Sequence, residues 1–169
     1  MLLNGKVESV IVNMGKPNFN AKEIPALENR FNLKVLDKNF EAFCVSVGNP
    51  HCVVFVDDLE NFDVGKYGKI IENDEHFPDR VNVEFVEIIN KYNIKMRVRE
   101  RGSGETLACG TGAVAVSAVW HKYGYTNRNV NVWLKGGVLK INWNQNDNNI
   151  YMEGFANKVF EGKIEFELS

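Results

Sequence analysis

The sequence predicts an α+β fold in which a mostly antiparallel sheet curls into a barrel-like layer around a buried central helix. Apolar and polar residues alternate with period two through most of the chain, which is typical of half-buried antiparallel strands. The segment 113–123 is instead apolar on every face and closes on Gly124, as expected of an enclosed helix. A sheet curled around that helix accounts for both patterns.

The predicted strands follow one another along the chain, and two helices interrupt them. The segment 94–99 shows the strict alternation on which each strand prediction rests. A short helix is expected at 64–73, and turn signals lie at Gly136-Gly137 and across 144–149. Strands are predicted at 7–12, 42–47, 52–56, 83–89, 94–99, 130–134, 137–143, 150–154 and 163–168.

Composition and charge narrow the classes of partner. The 169 residues make one large domain or two small ones, and 44% hydrophobic residues allow a sizeable core. The net charge of −2 includes no basic stripe, so we expect a small-molecule or protein partner, no nucleic acid and no membrane. No apolar stretch approaches the roughly 20 residues of a membrane span, and the first residues do not resemble a signal peptide. We therefore expect a cytoplasmic protein.

Cys109 is the strongest candidate for chemistry. It lies in a glycine-rich run, 100–113, directly before the predicted enclosed helix. The partial positive charge and free N–H groups of a helix start are expected to lower the pKa of its thiol. Gly110 and Gly112 allow the backbone to approach a ligand closely, and the N–H groups there form a site for a carboxylate or phosphate. This arrangement is more typical of catalysis than of a structural role.

A second motif, Gly-Asn-Pro-His-Cys at 48–52, joins two apolar runs. Asn49 and its proline suit a turn for local reasons alone, and His51 has the ordinary interpretation of a surface turn residue. Cys44 and Cys52 fall within strand patterns and are most simply small core residues. A metal site from His51, Cys52 and Cys109 is formally possible but not favoured, because the three cysteines lack paired zinc spacing and read as reduced thiols.

Three further polar residues are unremarkable one by one. Asn82 opens a strand, whereas Glu100 and Arg101 directly follow one, so that one of the two points inward and the other outward. The simplest interpretation of Glu100 and Arg101 is a solvated charge pair that contributes little to stability.

Taken together and in order, these motifs resemble the diaminopimelate epimerase family. The residues that carry the resemblance are Gly-Asn-Pro-His-Cys, then Arg-Val-Asn-Val at 80–83, then the run 100–113. Met14-Gly15 before Pro17, and the segments 53–58 and 159–164, also match. The resemblance covers nearly the whole chain, although the cysteine motif alone is shared in weaker form with related cofactor-independent racemases.

The resemblance implies a two-domain enzyme of which this chain is the carboxy-terminal half. In the family, each half is a curled sheet around a central helix, and each carries a catalytic cysteine at the helix start, with the substrate between them. The first half's motif, which resembles Cys-Gly-Asn-Gly, is absent from this chain. By this resemblance, residues 1–158 are the second catalytic-cysteine domain, and residues 159–169 are a terminal strand that packs on the missing amino-terminal domain.

The same resemblance assigns roles to the motif residues. Cys109 is one of two cysteines that move the α-proton between LL- and meso-diaminopimelate in lysine and peptidoglycan precursor biosynthesis, with no cofactor and no metal. His51 and Glu100 match positions that tune the cysteine pKa values and hold the ammonium group. The substrate-binding positions are matched by Asn49, Asn82, Glu100, Arg101, Gly110 and Thr111.

Two alternatives to this assignment stay open from the sequence. In the first, the chain is half of a racemase for another amino acid such as histidine. In the second, it is a non-catalytic half that binds a ligand or a partner. A homodimer that places two Cys109 side chains across one cleft is a further hypothesis. An exposed apolar edge is also expected where the tail lacks its partner sheet, at Phe160, Ile164, Phe166 and Leu168.

Overall fold

A computed structural model describes residues 2–3 and 6–165 of the chain. Strands make up most of the regular secondary structure, and two α-helices lie between them. The strands are β1 (Leu2–Leu3), β2 (Lys6–Val7), β3 (Ser9–Asn13), β4 (Arg30–Val35), β5 (Lys38–Ser46), β6 (Pro50–Phe55), β7 (Asn82–Asn90), β8 (Asn93–Glu100), β9 (Gly104–Thr106), β10 (Asn129–Leu134), β11 (Gly137–Trp143) and β12 (Ile150–Phe155). The helices are a 3₁₀ turn at Ala21–Glu23, α1 (Val64–Glu72) and α2 (Gly110–Lys122).

Ten of these strands form one mixed, curled sheet. Its order is β3-β12-β11-β10-β8-β7-β6-β5-β4, with β9 added alongside β8. Two neighbour pairs are parallel, β6 with β7 and β8 with β10, and each is connected through a helix. The other neighbours are antiparallel, so the predicted α+β fold with a mostly antiparallel sheet is confirmed. The sheet curls without closing, and a bridge from Asn18 to Ser46 links the segment after β3 to β5.

Helix α2 lies inside the curl, as its apolar sequence predicts. All nine residues from Gly112 to Trp120 are buried, and they pack against side chains from both halves of the sheet. The helix ends where Gly124 adopts a left-handed φ of +82°. There the N–H of Gly124 donates to the carbonyl of His121, and the N–H of Tyr125 donates to the carbonyl of Trp120. The central helix of the prediction is therefore confirmed.

Helix α1 covers the opposite face of the sheet over β4 to β8. Asp63 caps it by accepting a hydrogen bond from the N–H of Lys66 at 2.9 Å. A second core forms beneath this helix, and it contains both Cys44 and Cys52. These two cysteines are free, buried, and directly opposite each other on β5 and β6, in keeping with the prediction that they are core residues. Within the described residues, no helix is long and apolar enough to cross a membrane.

Strands β1, β4 and β9 were not among the predicted strands, and the last two were missed for identifiable reasons. Strand β4 alternates well, but the hairpin that follows it turns at Leu36 with a φ of +55°, where a glycine or asparagine would have signalled the turn. Strand β9 has only three residues and lies within the glycine-rich run. Its pairing with the end of β8 cannot be read from a periodicity.

The tail differs from the predicted terminal strand. Residues 156–165 form neither strand nor helix, so the strand prediction is wrong for 163–165. The side chains of Phe160 and Ile164 are exposed, as expected, at 81% and 84%. Phe166 and Leu168 lie outside the described residues, and the proposed boundary between 158 and 159 stays a prediction.

The packing of β8 on α2 predicts a large difference between two isoleucines. Ile94 on β8 is fully buried against α2, whereas Ile11 on the edge strand β3 is 56% exposed. We expect Ile94→Ala to lower the free energy of unfolding by about 2–5 kcal/mol because it leaves a cavity. The control Ile11→Ala is expected to change it by about 0.5 kcal/mol or less. Urea unfolding measures both, and equal effects would contradict the described core.

Candidate active site

The candidate site lies where helix α2 begins, above the ends of β6, β7 and β8. Cys109 is the N-cap of α2, with extended backbone angles of φ −138° and ψ 112°. Its Sγ accepts a hydrogen bond from the N–H of Gly112 at 3.3 Å and lies 3.4 Å from Oγ1 of Thr111. The thiol therefore takes the place that a serine or aspartate oxygen usually fills at a helix start.

The turn before β6 reaches the same point from the sheet. The Asn49 side-chain amide donates from Nδ2 to Oγ1 of Thr111 at 3.3 Å, and its Oδ1 lies 2.9 Å from Nε2 of His51. His51 is fully buried, which contradicts its interpretation as a surface turn residue. The structure thus brings Asn49, His51, Thr111 and Cys109 into one chain of contacts.

Glu84 completes this chain and was not singled out from the sequence. Its Oε1 lies 2.6 Å from Nδ1 of His51, and neither side chain is exposed to solvent. Glu84 is the third residue of β7, and that strand's first five residues are all buried. A charged residue flanked by the apolar Val83, Phe85 and Val86 was the available signal.

Glycine at position 112 allows α2 to approach Glu84 closely. A Cβ built on Gly112 would lie 2.9 Å from Oε1 of Glu84 and 3.2 Å from Cε of Met96. Neither neighbour is free to move, because both are buried beneath the helix. At Gly110 a Cβ would meet the Met152 side chain at 3.2 Å, so Met152 covers this part of the first turn. The glycines therefore allow close packing of the helix against protein side chains, whereas the predicted approach to a ligand stays a prediction.

Asn82 connects the strands that carry the site. Its Nδ2 donates to the carbonyl of Pro50 at 3.0 Å, and its Oδ1 accepts the N–H of Arg101 at 2.9 Å. These two contacts use the side-chain oxygen of Asn82 and one of the two N–H groups of its amide. Arg101 is exposed, and its guanidinium donates to the carbonyl of Asp79 at 3.1 Å.

Glu100 and the buried carboxylate of Glu72 fix the loop after β8. Oε1 of Glu100 accepts a hydrogen bond from Oγ1 of Thr106 at 2.6 Å, across the β8–β9 pair. Glu72, at the end of α1, is 2% exposed and accepts the N–H of Gly102 and Nε of Arg99, both at 2.8 Å. Glu72 was missed from the sequence, where it reads as one more charge on a helix. It holds the turn that presents Arg101.

The electrostatics of Cys109 differ from the prediction of a lowered pKa. Burial is the main influence, and it raises the pKa of the Cys109 thiol because thiolate loses its hydration. The hydrogen bonds from Thr111 and from the N–H of Gly112 act in the opposite direction and are outweighed. The carboxylates of Glu84 and Glu100, when charged, raise the pKa further. In this structure Cys109 therefore rests as a protonated thiol.

The other cysteines take no part in the site. Cys52 faces the core beneath α1, whereas Cys109 faces the core around α2, so His51, Cys52 and Cys109 do not converge on one point. In the part of the chain that the structure describes, no group of three His, Cys, Asp or Glu side chains is arranged to hold a metal ion. The first-turn N–H groups of Gly110 and Thr111 have no intrahelical acceptors and suit an anion instead.

Known diaminopimelate epimerases are similar to this chain over nearly its whole length. The family model for diaminopimelate epimerase matches residues 43–159. A diaminopimelate epimerase of Methanococcus maripaludis is 47% identical over 167 residues, which cover 96% of this chain and 60% of that protein. One from Leptospira biflexa is 46% identical over 168 residues, with the same coverage of 96% and 60%. The chain thus spans about 60% of the length of these curated relatives.

Solved structures agree on the fold. A hydroxyproline epimerase from Agrobacterium vitis superposes with a TM-score of 0.61 at 14% sequence identity, covering 91% of this chain and 51% of the other. At that identity the likeness concerns the fold alone.

Close packing at Gly112 predicts a site-specific cost for one added methyl group. We expect Gly112→Ala to lower the free energy of unfolding by about 1–3 kcal/mol, because the new Cβ overlaps the buried Glu84 carboxylate. Gly65 in the first turn of α1 is the matched control, since a Cβ there meets only Oδ1 of Asp63 at 3.5 Å. Gly65→Ala is expected to be neutral or stabilising by up to about 1 kcal/mol. Thermal unfolding compares the two, and equal stability would disprove the close approach.

The Thr111 hydroxyl predicts the reactivity of the thiol. Thr111→Val removes a hydrogen bond that lowers the pKa of Cys109, so the pKa should rise further and alkylation by iodoacetamide at pH 7 should slow by about tenfold. Thr111→Ser keeps the hydroxyl and should react like the parent chain. Cys109→Ser supplies the background from the two buried cysteines. An unchanged rate in Thr111→Val would show that the hydroxyl does not contact the sulfur.

Proposed function

The chain belongs to the diaminopimelate epimerase family, and from this we propose that it is the carboxy-terminal half-site of a two-cysteine epimerase acting on diaminopimelate. The single observation that carries the proposal is the position of Cys109. Its sulfur caps α2 and is connected through Thr111 and Asn49 to the buried His51. A thiol beside the free N–H groups of a helix start is suited to move a proton next to a bound carboxylate.

Epimerisation requires that a proton leave one face of the α-carbon and that another arrive on the opposite face. A thiolate on one side takes the α-proton, and the C–H electron pair moves into the α-carboxylate. A thiol on the other side then donates its proton to the carbon, so that each sulfur ends in the other's starting state. Cys109 supplies one sulfur, and its raised pKa makes it the proton donor of the resting site.

The first turn of α2 would stabilise the intermediate charge. The N–H groups of Gly110 and Thr111 lie at the positive end of the helix and would bind the α-carboxylate as it becomes enediolate-like. Such donors are fixed by the helix and need no reorganisation during the reaction. The Met152 side chain over Gly110 would help to exclude water from that turn.

Arg101 at the rim would favour a substrate with a second carboxylate. Arg101 presents a planar guanidinium suited to bidentate binding of a distal carboxylate. Asn82 and Glu72 hold the backbone of its loop through the N–H groups of Arg101 and Gly102. This favours diaminopimelate over an amino acid without a second carboxylate, and the family match agrees with that choice.

The other cysteine would come from the part of the relatives that lies beyond the 60% of their length covered by this chain. The relatives are longer than the chain, and the exposed tail offers apolar side chains at Val159, Phe160 and Ile164 for a contact with that part. We infer that the chain alone is a half-site and does not epimerise its substrate.

Exchange of the α-proton tests the proposal directly. LL-diaminopimelate is incubated in deuterium oxide under reducing conditions, and loss of its α-proton signal is followed by NMR. We expect no exchange with the chain alone, and exchange when the unmatched part of the Methanococcus maripaludis protein is added. Cys109→Ser should abolish that exchange, because one of the two proton-transfer groups is lost. Exchange that is insensitive to Cys109→Ser, or no exchange in the mixture, would contradict the proposal. Exchange with the chain alone would favour a homodimer.

Arg101 predicts the substrate dependence of the same reaction. Arg101→Lys keeps the charge but loses the bidentate fork, so the diaminopimelate concentration at half-maximal exchange should rise about tenfold in the reconstituted mixture. Arg30→Lys, at an exposed position on the edge strand β4, is the control and should leave that concentration unchanged. If Arg101→Lys behaves like this control, Arg101 does not bind the distal carboxylate.

A further inference from the structure

Glu84 is a buried carboxylate for which the proposed reaction has no direct use. Its Oε1 lies 2.6 Å from Nδ1 of His51, and its Oε2 is buried with no hydrogen-bond partner among the described residues. Gly112 of helix α2 lies directly above it. A lone carboxylate anion in such a place would lack both hydration and hydrogen bonds, which is strongly unfavourable. Its charge must therefore be balanced by its one close polar neighbour, the His51 ring.

The direction of the hydrogen bonds shows how the balance is reached. Nδ2 of Asn49 donates to Thr111, so Oδ1 of Asn49 faces Nε2 of His51 and can only accept. Nε2 therefore carries a proton. At the opposite side of the ring, the 2.6 Å contact between Nδ1 and Oε1 also requires a proton, since both atoms otherwise offer only lone pairs. The His51–Glu84 pair then holds one proton between them and has no net charge.

We propose that Glu84 is a positioning residue that keeps this shared proton in the His51–Glu84 pair. It thereby orients the hydrogen bonds that run from His51 through Asn49 to Thr111, so that the last donor in the series points at the Cys109 sulfur. With the shared proton in place, Nε2–H donates to Asn49 and the Asn49 amide donates to Thr111. The Thr111 hydroxyl is then left to donate to Sγ, which stabilises thiolate when Cys109 loses its proton. This inference rests on the proposed function for its purpose, but not for its test.

The surroundings of the thiol determine what removal of Glu84 would do. The charged groups that act on Cys109 are Glu84 from β7 and Glu100 from β8, and His51 from β6 is connected to it through Asn49 and Thr111. Glu100 is engaged by Thr106 and is unchanged by substitution at Glu84. A Glu84 that holds a shared proton contributes no net charge, whereas a lone Glu84 anion would strongly oppose thiolate formation. These two states predict different rates of Cys109 alkylation when Glu84 is replaced by a neutral residue of the same shape: a similar rate for the shared proton and a faster rate for the lone anion.

The protonation of the ring is measured by long-range ¹H–¹⁵N NMR of the whole chain, without substrate. The His51 signals are assigned by comparison with His76→Gln and His121→Gln. We expect Nε2 to be protonated, with Nδ1 sharing a proton with Glu84. A ring that is protonated at Nδ1 alone would overturn the inference, since Asn49 would then have to present its amide nitrogen to His51 and the chain of donors would run away from the sulfur.

Substitutions at Glu84 provide the second readout, the pH profile of Cys109 alkylation by iodoacetamide. Glu84→Gln keeps the shape and can donate from its amide to Nδ1, so we expect rates within about threefold of the parent chain. Glu84→Leu removes any partner for Nδ1 and should slow alkylation at pH 8 by about tenfold, which Gln restores. Glu87→Gln, on the same strand with its side chain on the other face, is the control.

Each other outcome counts against the inference. An alkylation rate at pH 7 that rises tenfold or more in Glu84→Gln would mean that Glu84 is a lone anion in the parent chain. A parent-like profile in Glu84→Leu would mean that Glu84 does not act on the thiol. If Glu84→Leu does not fold, the Gln profile and the ring NMR decide alone. None of these measurements depends on diaminopimelate, so a failed proton-exchange assay leaves them unaffected.

Discussion

The close approach of helix α2 to the sheet is the constraint on which the rest of the site depends. At Gly112 the helix backbone comes so near to β7 and β8 that a single Cβ would overlap the Glu84 carboxylate and touch Met96. The same approach places the first turn of the helix over the ends of three strands. Without it, Cys109 would cap a helix but would not reach the side chains that rise from the sheet.

The registers of the strands explain why polar residues converge at that point. His51 on β6 lies beside Asn82 on the parallel strand β7, and Glu84 on β7 lies opposite Val98 on β8. Alternate residues of one strand share a face, so Asn82 and Glu84 both project on the same side of β7. The sheet has a core on each face, one around α2 and one beneath α1. His51, Asn82 and Glu84 therefore lie together near the strand ends beside the start of α2.

Periodicity predicted most of the strands and both α-helices, because these elements have a face or a whole surface buried in one core. It could not identify β9, whose pairing depends on a glycine turn rather than on its own pattern. The motif residues Cys109, Asn49 and His51 were identified, and the structure brings them together. Glu72 and Glu84 were not, because a single carboxylate in a sequence does not reveal whether it is exposed or buried. Their importance comes from burial, which only the packing of the helices on the sheet decides.

The resting state of Cys109 follows from a competition that the sequence alone could not resolve. A helix start favours thiolate through its N–H groups, and the sequence suggested that this effect would dominate. The structure leaves Cys109 only 8% exposed, and the loss of hydration outweighs those hydrogen bonds. In the proposed two-base reaction, one sulfur begins each turnover with a proton and the other without. A thiol that is protonated at rest matches the donor, and the Thr111 hydroxyl and the N–H of Gly112 are the groups that would stabilise its thiolate after the transfer. Burial and capping thus act in opposite directions on the pKa of Cys109, and burial sets its resting state.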